Sequence, residues 1–208
     1  MDILKPQYYF PVKPHIITRY WGELVIDPIT KLSIYLRFGF KLHNGVDVLP
    51  AKVDKIYRYP WNGTGKVVKT GYQPNGGGIF VGLISNENFE FPDGKVSLIL
   101  TDALHAEKIL VKVGDIVNTG DALIIQDSTG FSTGNHTHGQ YRRETWDGIA
   151  FSDVDRNEAN NSFDPMVYAV GKFAVDELIL SKQLQAIKLL KEWISQLWTK
   201  LNKQHPIL

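Results

Sequence analysis

Between residues 45 and 145 the chain alternates short apolar, β-branched runs with turn residues. Gly65-Lys66-Val67-Val68, Ile79-Phe80-Val81-Gly82-Leu83-Ile84 and Val96-Ser97-Leu98-Ile99-Leu100 are such runs, and their composition predicts strands. Asn75-Gly76-Gly77-Gly78 and Pro92-Asp93-Gly94 lie between them and carry turn chemistry. No apolar pattern of helical period interrupts the region, so a mainly β, antiparallel domain is predicted. Residues 1–40 are rich in proline and aromatics, and Tyr20, Trp21 and the stretch Tyr35 to Phe40 suggest irregular structure and short strands packed beside a site. The polar tract 152–162, with Val154 as its apolar anchor, reads as a surface loop.

The pattern changes after residue 171. From Val175 to Lys203, Leu180, Ile187, Ile194 and Leu201 recur every seventh position, with Leu190 and Leu197 between them. Asp176 and Glu177 come early and Lys200 and Lys203 late, as the helix dipole prefers. An amphipathic helix over 175–203 follows, suited to self-association or to docking on a protein surface. Contact with an anionic membrane surface is the less favoured use of its lysines. The expected division is a domain at 1–171, with its core at about 10–170, and a helical attachment at 172–208.

Composition narrows the chemistry. A formal net charge of +1 over 208 residues offers no global footprint for nucleic acid. No run of about 18 apolar residues occurs, so no membrane span is expected. The first residues, MDILKPQYYFPVK, lack a signal-peptide pattern. The chain has no cysteine, so a metal would be held by imidazole and carboxylate.

Four of the six histidines fall into an ordered set with one aspartate: His43-Asn44-Gly45-Val46-Asp47, then His105, then His136-Thr137-His138. Two histidines and a carboxylate make a zinc set of the kind that leaves one position open for water. Two further histidines are then available to move protons or hold developing charge. On a strand, His136 and His138 at i and i+2 would share one face. The Asn-Gly between His43 and Asp47 would allow a tight bend that brings both to one ion. His15 and His205 read as structural or surface residues.

These motifs resemble the lysostaphin/LytM-type zinc endopeptidases. His43 to Asp47 looks like that family's H-x-x-x-D motif, and Gly134-Asn135-His136-Thr137-His138, preceded by Thr129-Gly130-Phe131-Ser132-Thr133, looks like its H-x-H motif. His105 lies nine residues before Gly114, where the family's middle histidine precedes its V-x-x-G-D-x-V-x-x-G signature. Asp164-Pro165-Met166-Val167-Tyr168 resembles its closing D-P-x-x-Y segment. The resemblance implies an antiparallel, hybrid-barrel-like sheet with a groove. It also implies one zinc ion per chain on His43, Asp47 and His138, with His105 and His136 as the catalytic pair. The implied substrate is the peptide part of bacterial peptidoglycan, reached at the cell wall by a phage-encoded, virion-associated or otherwise delivered enzyme. A non-catalytic wall-binding or structural module on the same fold is the alternative.

Two positions depart from the family. Gly139 and Gln140 stand where it usually has a large apolar residue and a glutamate, and Ala103 stands where it has an aromatic before the middle histidine. Gln140 can accept a hydrogen bond through its amide oxygen but brings no negative charge. Two other readings compete locally. VKVGDIVNTGDALIIQD also resembles carrier-domain sequence, but no modifiable lysine sits at a matching hairpin tip. Asp153, Asp155, Asn157, Asn161 and Asp164 approach the spacing of a calcium loop, yet Glu158 occupies the position that wants glycine, so a solvated loop is favoured.

Overall fold

Twelve strands form among the described residues, most of them from the alternating segments, and their pairing carries the groove. The computed structural model describes residues 3–12, 16–50, 54–146 and 150–170, all within the unit Met1–Val170. The strands are β1 (Ile3–Leu4), β2 (Ile17–Arg19), β3 (Gly45–Val48), β4 (Ile56–Arg58), β5 (Thr64–Gln73) and β6 (Gly78–Ser85), followed by β7 (Asn88–Glu90), β8 (Val96–Ile109), β9 (Ile116–Asn118), β10 (Ala122–Gln126), β11 (Thr137–Trp146) and β12 (Phe151–Asp153). The main sheet runs β2-β3-β11-β8-β6-β5-β9. Every pairing along that path is antiparallel. β1 and β7 pair in parallel at the margin. Among the described residues the helical segments are short 3-10 turns at Ile34–Phe38 and Pro165–Tyr168. The helix expected at 175–203 lies outside the described residues, as do His15 and His205.

The predicted turns sit at the strand junctions, but the strands are longer than their apolar cores. β8 continues from Val96 through Ala103, Leu104 and His105 to Ile109, because neighbours on both sides complete its hydrogen bonds. Period-two alternation divides its faces. Ile99, Ala103, Val81, Leu83, Val67 and Tyr141 are buried in the core. Asp102, Gln140, Gly82 and Lys69 fall in one cross-strand row on the opposite, groove-facing side.

Beneath the groove, the hydroxyls of Tyr8, Tyr141 and Tyr57 are joined by hydrogen bonds of 3.1 and 2.6 Å. Linking them satisfies polar groups that burial would otherwise leave costly. This chain of tyrosines explains Gly139: a Cβ there would stand 2.5 Å from the hydroxyls of both Tyr57 and Tyr141. The volume a large residue would fill at that position is taken by tyrosines from β4 and β11.

The C-terminal edge of this unit closes on the same core. Asp164 caps the last 3-10 turn through Met166 N–H at 2.9 Å, with Pro165 inside the turn. Tyr168 then packs against Phe91 and Phe163. The tract 152–162 is not wholly a solvated loop. β12 pairs with β11, Ala159 and Ser162 are buried, and Arg143 Nε–H donates to both carboxylate oxygens of Asp155, at 2.8 and 3.0 Å. With Asp155 committed to Arg143, the calcium-loop reading loses one of its ligands.

Candidate metal centre

Antiparallel register brings two distant segments together. Asp47 on β3 is paired directly with His138 on β11, so their side chains share the groove face. His43 lies just before β3, and its Nδ1–H donates to the Tyr20 carbonyl at 2.8 Å. That bond directs the His43 Nε2 lone pair inward. Gly45 is part of strand β3, not of a tight bend. Its lack of a side chain serves packing: a Cβ there would lie 2.6 Å from His138 Nε2 and would also strike the Gly139 carbonyl.

Three ligand atoms converge. His43 Nε2 lies 3.1 Å from Asp47 Oδ1 and 3.0 Å from His138 Nδ1, and His138 Nδ1 lies 2.9 Å from Asp47 Oδ1. All three residues are buried. With the His43 proton on Nδ1, these three contacts cannot all be hydrogen bonds, because Nε2 then has no proton to give. A triangle of lone pairs calls for a cation. Ligands about 2.0–2.1 Å from a tetrahedral zinc lie roughly 3.3 Å apart, close to the observed edges. The donor set therefore fits zinc.

The electrostatics agree. Burial pushes the Asp47 carboxyl up, but the imidazoles of His138 and His43 packed against it outweigh that and hold it well below the usual carboxylate range. Burial lowers the His138 pKa against the pull of Asp47. A carboxylate and a neutral imidazole are the forms that bind metal. Arg19 backs the carboxylate from β2, with Nη1 4.0 Å from Asp47 Oδ2 and donating to the Tyr35 hydroxyl at 3.1 Å. Burial raises Tyr35 to about 12, so it keeps its proton. Neither Arg19 nor the Tyr20 carbonyl carries a sequence motif, although the aromatic segment containing Tyr20 is conspicuous.

These features coincide with known proteins. No protein-family model matches the chain. Lysostaphin of Staphylococcus staphylolyticus is 36% identical over 77 residues, which cover 37% of this chain and 14% of that protein. Glycyl-glycine endopeptidase ALE-1 of Staphylococcus capitis is 36% identical over 76 residues, covering 36% of this chain and 18% of that one. The solved catalytic domain of lysostaphin from Staphylococcus simulans superposes with a TM-score of 0.50 at 26% identity, over 74% of this chain and 91% of that one. Over these stretches of sequence and in the fold of the described residues, the chain is similar to lysostaphin/LytM-type peptidases. The matches span less than a fifth of the length of these curated relatives.

The remaining two histidines of the family pattern flank the donor triangle. His105 and His136 have ring centroids 4.8 Å apart, and the His105 and His138 centroids are 6.3 Å apart. His136 Nε2 is 3.7 Å from Asp47 Oδ1. Its Nδ1–H donates to the Gly134 carbonyl at 2.7 Å, while His105 Nδ1–H donates to the Thr129 carbonyl at 2.8 Å. Both rings therefore hold the same tautomer.

His105 reaches the groove in an unexpected way. Ala103 and Ala106 both point into the core, and they pair with Val81 and Ile79 across an irregular register. Three steps on β8 oppose two on β6, a bulge that re-aims a side chain. His105 is the left-handed residue of that bulge, with φ +67°, a conformation that costs a non-glycine residue of order 1 kcal/mol or more. Burial lowers its pKa to about 4, leaving it neutral near pH 7.

Gln140 forms no hydrogen bond with a histidine among the described residues. It lies opposite Asp102, whose Oδ1 is 2.9 Å from Lys69 Nζ. Gly82 lies between these two side chains, and a Cβ there would lie 2.6 Å from that oxygen.

Proposed function

We propose that this chain is a zinc-dependent endopeptidase that hydrolyses peptide bonds of bacterial peptidoglycan. His43, Asp47 and His138 are its metal ligands, and His105 and His136 are its catalytic pair. The observation that carries the reading is the triangle of ligand atoms with edges of 2.9 to 3.1 Å. The names of the relatives, lysostaphin and a glycyl-glycine endopeptidase, support the substrate class.

A bound zinc supplies Lewis acidity toward the scissile carbonyl and makes a water acidic enough to react near neutral pH. The Tyr20 carbonyl holds His43 in the ligating tautomer. Neutral His105, with Nδ1–H on the Thr129 carbonyl, presents Nε2 to accept a proton. His136, with Nδ1–H on the Gly134 carbonyl, presents Nε2 beside the donor set, where it holds developing charge or returns a proton to the leaving amine. On sequence pattern alone, the catalytic unit is 1–171, and the apolar stripe through Leu180, Ile187, Ile194 and Leu201 docks it to another protein surface or a second copy.

The test is metal content with wall digestion. Purified protein should carry about one zinc per chain and release new amino termini from purified peptidoglycan. A chelator should stop the release and zinc should restore it. Zinc-loaded protein that binds walls without freeing amino termini would overturn the hydrolase reading in favour of a non-cleaving wall-binding module.

A further inference from the structure

Through its hydroxyl, Thr129 makes contacts that neither the metal nor the histidine chemistry requires. Its Oγ1 donates to the Ala106 carbonyl at 2.8 Å and accepts from Ile79 N–H at 2.9 Å. Its own carbonyl accepts the His105 Nδ1 proton at 2.8 Å. One residue thereby ties β6, the bulge in β8 and the His105 ring to the loop 127–134. The backbones meet closely at this point. Gly78 has φ +63° and Gly130 φ +77°, and a Cβ on Gly78 would collide with the Thr129 carbonyl. The Gly77 carbonyl completes the clamp by accepting His105 N–H at 2.8 Å.

The bulge needs such a clamp. In a regular ladder, a residue following groove-facing Leu104 would point into the core. The left-handed φ at His105 turns the ring to the groove instead, and the Thr129 hydroxyl bonds the strands on both sides of that turn.

We propose that Thr129 is a positioning residue for His105. Its hydroxyl holds the loop and the bulge together, so that its carbonyl pins the Nδ1–H tautomer and leaves Nε2 unengaged beside His136. The role in turnover rests on reading His105 as one of the catalytic pair; the role in ring orientation does not.

Two variants of the zinc-loaded full chain separate hydroxyl from packing. Thr129→Val keeps the volume and the carbonyl but loses the hydroxyl. Thr129→Ser keeps the hydroxyl and loses the methyl. A misplaced catalytic group costs about 100-fold, so kcat on a wall peptide should fall roughly 10- to 100-fold in Thr129→Val, with KM within about twofold and zinc retained. Thr129→Ser should stay within about threefold of the parent in kcat. Nitrogen NMR of His105 gives a readout free of turnover: the Nδ1–H tautomer in the parent and in Thr129→Ser, mixed tautomers in Thr129→Val. An unchanged tautomer in folded Thr129→Val overturns the proposal. So does a Thr129→Ser variant as impaired as Thr129→Val, since the methyl rather than the hydroxyl would then matter. If the parent holds zinc and cleaves nothing, the hydrolase reading fails, and the tautomer comparison still decides the role of Thr129.

Discussion

The two halves of the site are built by opposite means. The proposed ligand half, His43, Asp47 and His138, hangs on the regular β3–β11 pairing. There Asp47 and His138 sit directly opposite each other, and His43 is oriented by one backbone carbonyl. The half formed by His105 and His136 uses irregular backbone: a left-handed residue in a bulge and a loop whose carbonyls take both Nδ1 protons. Strand register places donors for an ion with little strain, because cross-strand neighbours already lie at the right separation. Alternation can bring His136 to the face of His138, but it would turn His105, which lies between core-facing Ala103 and Ala106, away from that point. The chain meets that need with strain held in place by hydrogen bonds.

The comparison breaks most sharply at the ligands. Asp47→Ala or His138→Ala should abolish stoichiometric zinc binding and, with it, all measurable peptidoglycan hydrolysis. Metal analysis after dialysis checks this, and full zinc occupancy in Asp47→Ala would remove Asp47 from the ligand set. On the other half, His105→Ala and His136→Ala should keep zinc yet lose about 100-fold or more in kcat. Parental rates in both variants would end the two-part description.

Smaller effects sharpen it. Gly139→Phe restores a large side chain beneath the ligand half, where the hydroxyls of Tyr57 and Tyr141 leave no room. Overpacking should cost roughly 1–3 kcal/mol in chemical denaturation, and part of that loss should return when Tyr57→Phe and Tyr141→Phe are added. A neutral result would mean that the tyrosines repack freely.

The gentlest probe sits at the far end of β11. Burial, followed by the charge of Asp153, raises the Glu144 carboxyl from 4.5 to about 7. Between those values the folded chain binds more protons than the unfolded one. Its stabilising share is therefore full below about 4.5 and is lost as pH rises through about 7. Thermal unfolding across this window should show a flatter pH slope in Glu144→Gln, with zinc content unchanged. An unaltered slope would place its origin elsewhere.

Much of this is legible in the sequence. The β runs, the turns at 75–78 and 92–94, and the clustering of His43, Asp47, His105, His136 and His138 all follow from short motifs in order. The Asn44-Gly45 step reads as a bend but is strand at Gly45, because glycine signals a turn and a close packing contact with the same letter. Gln140 can accept a hydrogen bond through its amide oxygen, yet in the fold it faces Asp102, and the carbonyl of Tyr20 orients His43.

Residue types and their order thus decided the β class, the candidate donor chemistry and the family resemblance, because alternation and ligand identity are local properties of the chain. The pairing of Asp47 with His138, the bulge that turns His105, the tyrosines that fill the space of a missing side chain at Gly139 and the grip of Thr129 were settled only in three dimensions. Each depends on which strand lies beside which and in what register. That register is a sum over contacts between residues tens of positions apart, so no local pattern can encode it.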